Sequence, residues 1–255
     1  MGKIIAIVNQ KGGVGKTTTS VNLTAAMGIQ GKKTLLIDLD PQGNSTSGMG
    51  VQKNMTTSSI YDVLINEKPI ESAIIGTKFK GVDVIISEIE LAGAEIEMVE
   101  IEDRTFLLKK AVFQIKDRYD YIFIDCPPSL GLLTLNALAA SDTIIVPIQC
   151  EYYALEGLSQ LMSTVRQVKR LYNPMIDVEG VLLTMYDGRL NLTMQVVDEV
   201  KKYFKNKVYK TVIPRNVRLS EAPSFGEPVS YYDRYSKGAQ SYQNLAQEII
   251  KNNSI

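Results

Sequence analysis

The chain has 255 residues, a length typical of one α/β domain, and its hydrophobic share of 45% is enough for a full core. Its 28 basic and 28 acidic side chains cancel, so any nucleic-acid surface has to be local rather than spread over the whole protein. The chain contains no histidine, which excludes histidine general-base catalysis and histidine metal ligation.

Two further absences narrow the class of protein. The two cysteines, Cys126 and Cys150, are far apart and form no C-x-x-C motif, so we expect two buried thiols in a reducing cytosol. No apolar run approaches the ~20 residues of a membrane span, and the N-terminus shows no signal-peptide pattern. These features predict a cytoplasmic protein.

Strand and helix patterns alternate along the chain, which predicts an α/β fold with a mainly parallel, twisted sheet and helices on both faces. The predicted strands cover residues 4–8, 33–38, 82–86, 121–125, 143–148, 178–183 and 208–213. The predicted helices cover residues 18–30, 58–65, 91–116, 132–140, 155–171, 192–204 and 238–251, the third with an expected break near Asp103. Apart from the short helix predicted at 58–65, residues 41–75 have a less regular pattern. We find no repeat or linker, so we expect a single domain over residues 1–255.

A glycine-rich segment, K-G-G-V-G-K-T-T, lies between the first predicted strand and the first predicted helix. Glycines let successive backbone N–H groups close around phosphate oxygens, and the helix N-terminus adds its dipole. In such a loop Lys16 reaches the β- and γ-phosphates and the Thr17 hydroxyl binds Mg²⁺. The alternative is an ordinary glycine turn with a solvated Lys11. The candidate nucleotide-binding residues of the loop are Lys11, Gly12, Gly13, Val14, Gly15, Lys16, Thr17 and Thr18.

The loop departs from the G-x-x-x-x-G-K-[ST] pattern, because Gln10 stands where the first glycine belongs and Lys11 follows it. A lysine at this place cannot easily fold back onto its own phosphates, but it could reach a nucleotide held by a facing subunit. The loop resembles the deviant Walker A loop of the ParA/MinD group of ATPases. The resemblance implies a P-loop NTPase fold, ATP and Mg²⁺ as ligands, a homodimer with ATP, and a catalytic Lys11 that acts across the dimer interface beside Lys16.

Two acids follow the second predicted strand, in L-I-D-L-D-P-Q-G-N. A carboxylate just past a strand end, beside a P-loop, can orient the attacking water or hold Mg²⁺ through water. Alternatively, Asp38 and Asp40 are turn-forming residues before Pro41. The stretch resembles the second motif of ParA proteins, which implies that Asp40 serves ATP hydrolysis and favours it over Asp38.

The strand predicted for residues 121–125 ends in an acid, as in a Walker B motif, where the aspartate holds the Mg²⁺ shell. A buried strand with a capping Asp125 is the alternative. The run I-D-C-P-P-S-L-G resembles the ParA family closely. The iron–sulfur reductases of the same superfamily match poorly, because Cys126 and Cys150 form no cluster-ligand pattern.

The predicted last strand ends in V-I-P-R-N. In the resembling family this segment packs on the adenine base, which implies that Pro214 and Asn216 contact the base. The alternative is a plain strand exit.

Basic residues are concentrated between Arg189 and Arg218, where eight stand against the two acids Asp198 and Glu199. Such a run is often only a solvated helix face, but phosphate binding needs no more than a local stripe. No groove-reading motif is present, so we expect contacts with the DNA backbone that are indifferent to sequence. Arg189 and Arg218 resemble the arginines that chromosomal ParA (Soj) proteins use on non-specific double-stranded DNA.

Over the whole chain the resemblance implies an ATPase that is slow, is stimulated by a ParB-type centromere-binding protein and acts on the nucleoid in chromosome or plasmid partitioning. Some members of this subgroup also regulate replication initiation or sporulation. A MinD-like membrane-cycling protein is the first alternative, but residues 245–255 have too few basic and bulky apolar side chains for a membrane helix, so no stable membrane association is expected. A metabolic enzyme that phosphorylates or ligates a small molecule is the second, and the sequence offers no acceptor pocket for it.

Overall fold

The computed structural model describes residues 2–52, 58–151 and 154–254, with backbone only for residues 154–156. Seven strands form one sheet among these residues. They are β1 (Lys3–Ile7), β2 (Thr34–Asp38), β3 (Ile74–Gly76), β4 (Val82–Ile85), β5 (Tyr121–Asp125), β6 (Thr143–Gln149) and β7 (Asp177–Thr184). The spatial order is β3-β4-β2-β5-β1-β6-β7, and all neighbouring pairs are parallel except β3 with β4. The predicted fold class is confirmed.

Helices cover both faces of the sheet. The longer ones are α1 (Lys16–Ile29), α4 (Leu91–Glu97), α5 (Leu107–Phe113), α6 (Leu132–Ala140), α7 (Ala154–Leu171), α8 (Asn191–Phe204) and α11 (Lys237–Asn252). The shorter ones are α2 (Asn44–Gly48), α3 (Ile60–Leu64), α9 (Val217–Glu221) and α10 (Val229–Tyr232). None of the described helices is long and apolar enough to cross a bilayer.

The central strands are buried on both faces, as their continuous apolar sequences require. In β1, Ile5 and Ile7 belong to the apolar cluster that includes side chains of α1 and α11, whereas Ile4 and Ala6 belong to the cluster on the opposite face. Each fully buried isoleucine contributes roughly 1.5–3 kcal/mol.

Strand pairing brings the predicted motifs together. In the parallel register Ile7 pairs with Asp125, and Asp125 pairs with Asp38. The carboxyl ends of β1, β5 and β2 are therefore adjacent, and the three segments that follow them share one edge of the sheet.

The predicted strand over residues 208–213 is wrong. Instead of a continuous strand pairing, two isolated β-bridges are formed. Val208, in the segment, pairs with Val181 of β7, and Pro214, just after the segment, pairs with Tyr186, just after β7. Between its hydrogen bonds to Val181 and Leu183 the segment advances four residues while β7 advances two, so it bulges away. The N–H groups in the bulge donate instead to the Glu248 carboxylate of α11, at 2.8 and 3.0 Å.

The helix predicted over residues 91–116 is interrupted near Asp103, as expected. Asp103 has a φ of 58°, in the left-handed region that a helix cannot contain, and α5 begins after it. In the looser stretch, the edge strand β3 was not predicted, because three residues carry too little pattern. Part of that stretch, residues 53–57, lies outside the described residues.

Candidate functional site

The loop between β1 and α1 has the backbone of a phosphate cradle. Gly13 and Gly15 have φ values of 74° and 87°, which side-chain-bearing residues rarely adopt, and Gly15 is the N-cap of α1. Thr184 at the end of β7 fixes the loop from below, because its hydroxyl donates to the Val14 carbonyl at 2.8 Å.

A cavity of about 360 Å³ opens above this loop. The loop contributes backbone and side chains from residues 12, 13 and 15–18, and the opposite wall includes Asp40 and Pro128. Apart from Met185, which follows β7, the residues that line the cavity come from the segments after β1, β2 and β5, which the sheet places side by side.

Lys16 is buried in this cavity wall, with 6% of its surface exposed. Its Nζ donates to the Lys11 carbonyl at 3.2 Å, and within the described chain it forms no ion pair. Burial lowers the pKa of Lys16, and the nearby Asp125, Cys126 and Asp40 oppose that shift. A desolvated ammonium without a carboxylate partner gains strongly from a phosphate.

Asp125 is fully buried below the loop. Its Oδ1 accepts a hydrogen bond from the Ser20 hydroxyl at 2.8 Å, while its Oδ2 is buried without a hydrogen-bond partner among the described residues. Burial and the charge of Asp38 raise the pKa of Asp125 to about 7, and the hydroxyls of Ser20 and Thr17 oppose the rise.

This donor set fits Mg²⁺. The cation prefers oxygen ligands, and an orphaned carboxylate oxygen beside the Thr17 hydroxyl is a place where a buried cation would satisfy an otherwise unpaired atom. Sequence reasoning did not single out Ser20, which orients Asp125 from the next turn of α1.

Asp38 and Asp40 occupy different environments. Asp38 is fully buried, and its Oδ2 accepts from the backbone N–H and the hydroxyl of Thr46, at 2.8 and 2.6 Å. Burial raises the pKa of Asp38 against these hydrogen bonds. Asp40 lines the cavity, and its Oδ1 accepts from the Gln42 backbone N–H at 3.0 Å. Asp38 thus holds α2, and Asp40 is the carboxylate that faces the cavity.

Lys11 is turned toward its own chain. Its Nζ lies 3.1 Å from Glu151 Oε2, and both side chains are partly exposed. Glu151 stands two residues beyond β6, at the same edge of the sheet as the loop. Glu151 follows β6, and β6 is the neighbour of β1, after which Lys11 lies. A sequence analysis that placed these two strands side by side could have predicted the contact.

A second cavity, of about 290 Å³, adjoins the loop on the side of β7. Pro214 and Asn216, the two predicted base contacts, line it. The side-chain oxygen of Asn216 also caps α9, because it accepts from the Arg218 backbone N–H at 3.0 Å. Sequence reasoning missed Met185, which lines both cavities and has a φ of 47°.

The two predicted DNA-binding arginines are both engaged by acids. Arg189, 89% exposed in its side chain, binds Asp187 through two nitrogens at 2.6 and 2.8 Å, and it holds the pKa of Asp187 at about 2. Arg218 contacts Glu221 at 2.7 Å and Asp233 at 3.3 Å. Acids from outside residues 189–218 therefore offset part of the local positive charge that the sequence count indicated.

Both cysteines are free and buried, as predicted. Burial raises the pKa of Cys150 to about 11 and that of Cys126 further still, so neither is a reactive thiolate.

Comparison with known proteins places this site in a family. The AAA_31 family, described as an AAA domain, matches residues 2–178. The sporulation initiation inhibitor protein Soj of Bacillus subtilis is 59% identical over 252 residues, covering 99% of this chain and 100% of that protein. The chromosome partitioning protein ParA of Myxococcus xanthus is 52% identical, covering 98% and 89%. A crystal structure of cobyrinic acid a,c-diamide synthase from Mycobacterium smegmatis, with an ATP analogue and magnesium bound, is 35% identical with a TM-score of 0.89 and covers 100% and 96%.

Proposed function

This chain belongs to the AAA_31 family and, within the ParA/MinD superfamily, to the chromosomal ParA (Soj) group, and on that premise we propose that it is an ATP-driven switch for DNA partitioning. It is an ATPase that uses ATP and Mg²⁺. We treat residues 1–255 as one ATPase domain.

The observation that carries the proposal is the shared cavity at the ends of β1, β2 and β5. Lys16 holds the β- and γ-phosphates there, and the loop from Lys11 to Thr18 cradles them. Thr17 and Asp125 would hold Mg²⁺, with Asp40 reaching it through water, and the ion would neutralise charge on the transferred phosphoryl group. Asp40 orients the attacking water, since its carboxylate lines the cavity without an ion pair among the described residues.

Lys11 acts in trans. To reach a facing subunit it leaves Glu151, and this costs little, because an exposed ion pair contributes at most about 1 kcal/mol. The loop beside it is open, since a Cβ added at Gly12 would meet no heavy atom within 4 Å. Two such loops can therefore approach closely in an ATP-bound homodimer.

The dimer holds double-stranded DNA through its phosphates. Arg189 and Arg218 already bind carboxylates in bidentate or shared contacts, a geometry that also suits phosphate oxygens. Because those acids compete with phosphates for the arginines, the basic residues of one subunit bind DNA weakly. The basic residues of both subunits, side by side in the dimer, are needed. A ParB-type partner stimulates the slow hydrolysis that separates the dimer and releases it from the nucleoid.

The test is a salt titration of binding to two unrelated duplexes with ATP, ADP or no nucleotide, with and without the ParB-type partner. We expect ATP-dependent binding that is equal on both duplexes. Arg189→Ala and Arg218→Ala should each flatten the slope of log K against log salt by about one unit, and Arg118→Ala, an exposed arginine elsewhere, should not. Strong binding by a nucleotide-free monomer, or a clear preference for one duplex, would contradict the proposal.

The membrane-cycling alternative loses support from the C-terminal helix. In α11, Leu245, Ala246 and Ile249 are fully buried in the cluster that also contains side chains of α1, and Ile250 is partly buried against it. Sedimentation with anionic liposomes and ATP should leave the protein in the supernatant.

The metabolic alternative is favoured by the similarity to the Mycobacterium smegmatis diamide synthase, which shares the fold and binds an ATP analogue with magnesium. ATP-dependent binding of this chain to DNA would speak against that alternative.

A further inference from the structure

The helical stretch from Glu88 to Glu100, which contains α4, has apolar side chains on two faces. Helical hydrogen bonds begin at the Glu88 carbonyl, which accepts from Leu91 N at 3.1 Å. The inner stripe, buried against the core, consists of Leu91, Ala94 and Met98. The outer stripe consists of Ile89, Ile96 and Val99, which are 64%, 76% and 51% exposed. Its spacing of seven and three residues places it along one side of a helix.

Acids outnumber cations beside the outer stripe, where the one described cation in contact is Arg104, which donates to the Val99 carbonyl at 2.8 Å. Seven acids and no lysine or arginine lie between Glu88 and Asp103. Three of the acids have partners: Glu95 accepts from Leu133 N, Glu97 accepts from the Tyr61 hydroxyl, and Asp103 binds Lys110. The others form no ion pair with any residue that the structure describes, namely Glu88, Glu90, Glu100 and Glu102.

We propose that the α4 outer face, defined as the outer stripe with Glu90, Glu100 and Glu102, binds a basic amphipathic helix of another protein. Isoleucine and valine side chains exposed at this spacing match the apolar positions of a partner helix, as in helix–helix recognition. The unpaired carboxylates beside them match lysines or arginines that flank the apolar positions of such a helix.

Charge excludes the other occupants. A second copy of this chain would bring the same acids against each other, and like charges in contact cost several kcal/mol. Anionic lipid surfaces and nucleic acids would be repelled for the same reason. A cationic helix is the occupant that satisfies both the apolar stripe and the acids.

The face lies apart from the nucleotide. None of its residues lines the cavities beside the P-loop. Binding at the face should therefore not require ATP, and its test is independent of the proposed DNA switch.

The test uses three synthetic 18-residue peptides and fluorescence anisotropy with the full chain. The first peptide has leucines at helical spacing flanked by lysines, the second has glutamates in place of the lysines, and the third is a scramble of the first. We expect micromolar binding of the first peptide alone. Ile96→Gln with Val99→Gln should weaken it at least about tenfold, whereas Met175→Gln, which changes an 82% exposed methionine elsewhere, should not.

Charge reversal separates recognition from non-specific attraction. The double variant Glu90→Lys with Glu100→Lys should bind the lysine peptide more weakly than wild type does, and it should bind the glutamate peptide. Both sites are exposed, so the fold should survive, and circular dichroism checks it. No binding of the lysine peptide, equal binding of its scramble, or insensitivity to the Ile96 and Val99 changes would each overturn the proposal.

Discussion

The phosphate side and the base side of the nucleotide site are built in different ways. The phosphate side consists of segments that leave three hydrogen-bonded parallel strands, so the register of the sheet sets the positions of Lys16, Asp40 and Asp125. The base side consists of irregular chain after β7, where Asn216 caps a five-residue helix and Met185 has a left-handed backbone. Sheet pairing turns a sequence motif into geometry, whereas the base side is held by an isolated backbone bridge, Tyr186–Pro214, and by the side-chain cap of Asn216.

The two sides also differ in electrostatics. On the phosphate side Lys16, Asp40 and Asp125 are buried, and burial shifts the pKa of Lys16 and of Asp125. Charged groups beyond the base side, such as Arg189 and Arg218, are exposed and paired with acids. Because solvent screens exposed pairs, changes on the phosphate side should have the larger effects.

The largest effect is expected for Lys16→Ala. Loss of a desolvated charge that faces the phosphates should weaken ATP binding about a hundredfold, or roughly 2.8 kcal/mol, and abolish the later steps. Calorimetric titration with ATP measures it, and Lys251→Ala, at an exposed lysine near the end of α11, is the control. Wild-type affinity would remove the basis for the phosphate assignment.

Asp40→Ala should act on turnover rather than on affinity. It removes the carboxylate that faces the cavity but leaves the loop intact, so the ATPase rate should fall about a hundredfold or more. Size-exclusion chromatography in ATP should show a persistent dimer. A monomer, or normal turnover, would assign the water-orienting role elsewhere.

Gly12→Val tests the facing loops. Within one subunit a valine has room, because no heavy atom lies within 4 Å of a Cβ at this position, so ATP affinity should stay within about threefold of wild type. ATP-dependent dimerisation should be lost, with Gly12→Ala intermediate. Dimerisation of the valine variant would contradict close approach of the two loops.

The raised pKa of Asp125 predicts a pH dependence on the phosphate side. Without Mg²⁺, burial favours the protonated acid, so this group's contribution to stability is lost as pH rises from about 4 to about 7. Mg²⁺ needs the ionised form, so Mg²⁺-dependent nucleotide affinity should fall about tenfold per pH unit below about 7. Asp125→Asn should make that affinity independent of pH. A pH dependence that persists in this variant would assign the titration to another group.

The smallest effect is expected on the base side. Asn216→Ala removes the cap of α9 and should cost about 0.5–2 kcal/mol of stability and a few-fold in ATP affinity. Asn216→Asp keeps a capping oxygen and should restore most of the stability. Thermal unfolding and calorimetry measure the two quantities. A loss of affinity as large as that of Lys16→Ala would erase the distinction between the two sides.

The buried strands and the motifs at their ends could be predicted from the sequence, because an apolar run followed by a glycine loop or an acid carries both signals locally. The segment at 208–213 could not. Its apolar residues resemble those of a strand, but Glu248, 37 positions away from Thr211 in the chain, binds the N–H groups that a strand would pair.

The sequence by itself determined the six parallel strands of the sheet, the phosphate loop and the acids at the sheet's edge, because each depends on residues close together in the chain. Only the tertiary structure decided the partners of the charged groups. Lys11 forms an ion pair with Glu151, and Asp38 accepts a hydrogen bond from Thr46. Asp125 Oδ2 has no hydrogen-bond partner among the described residues, and Arg189 and Arg218 are paired with acids. The contacts of Lys11 and Asp38 join residues from separate elements, whereas Arg189–Asp187 and Arg218–Glu221 are local pairs. The pKa values of the buried groups depend on burial, which exists only once the chain has folded.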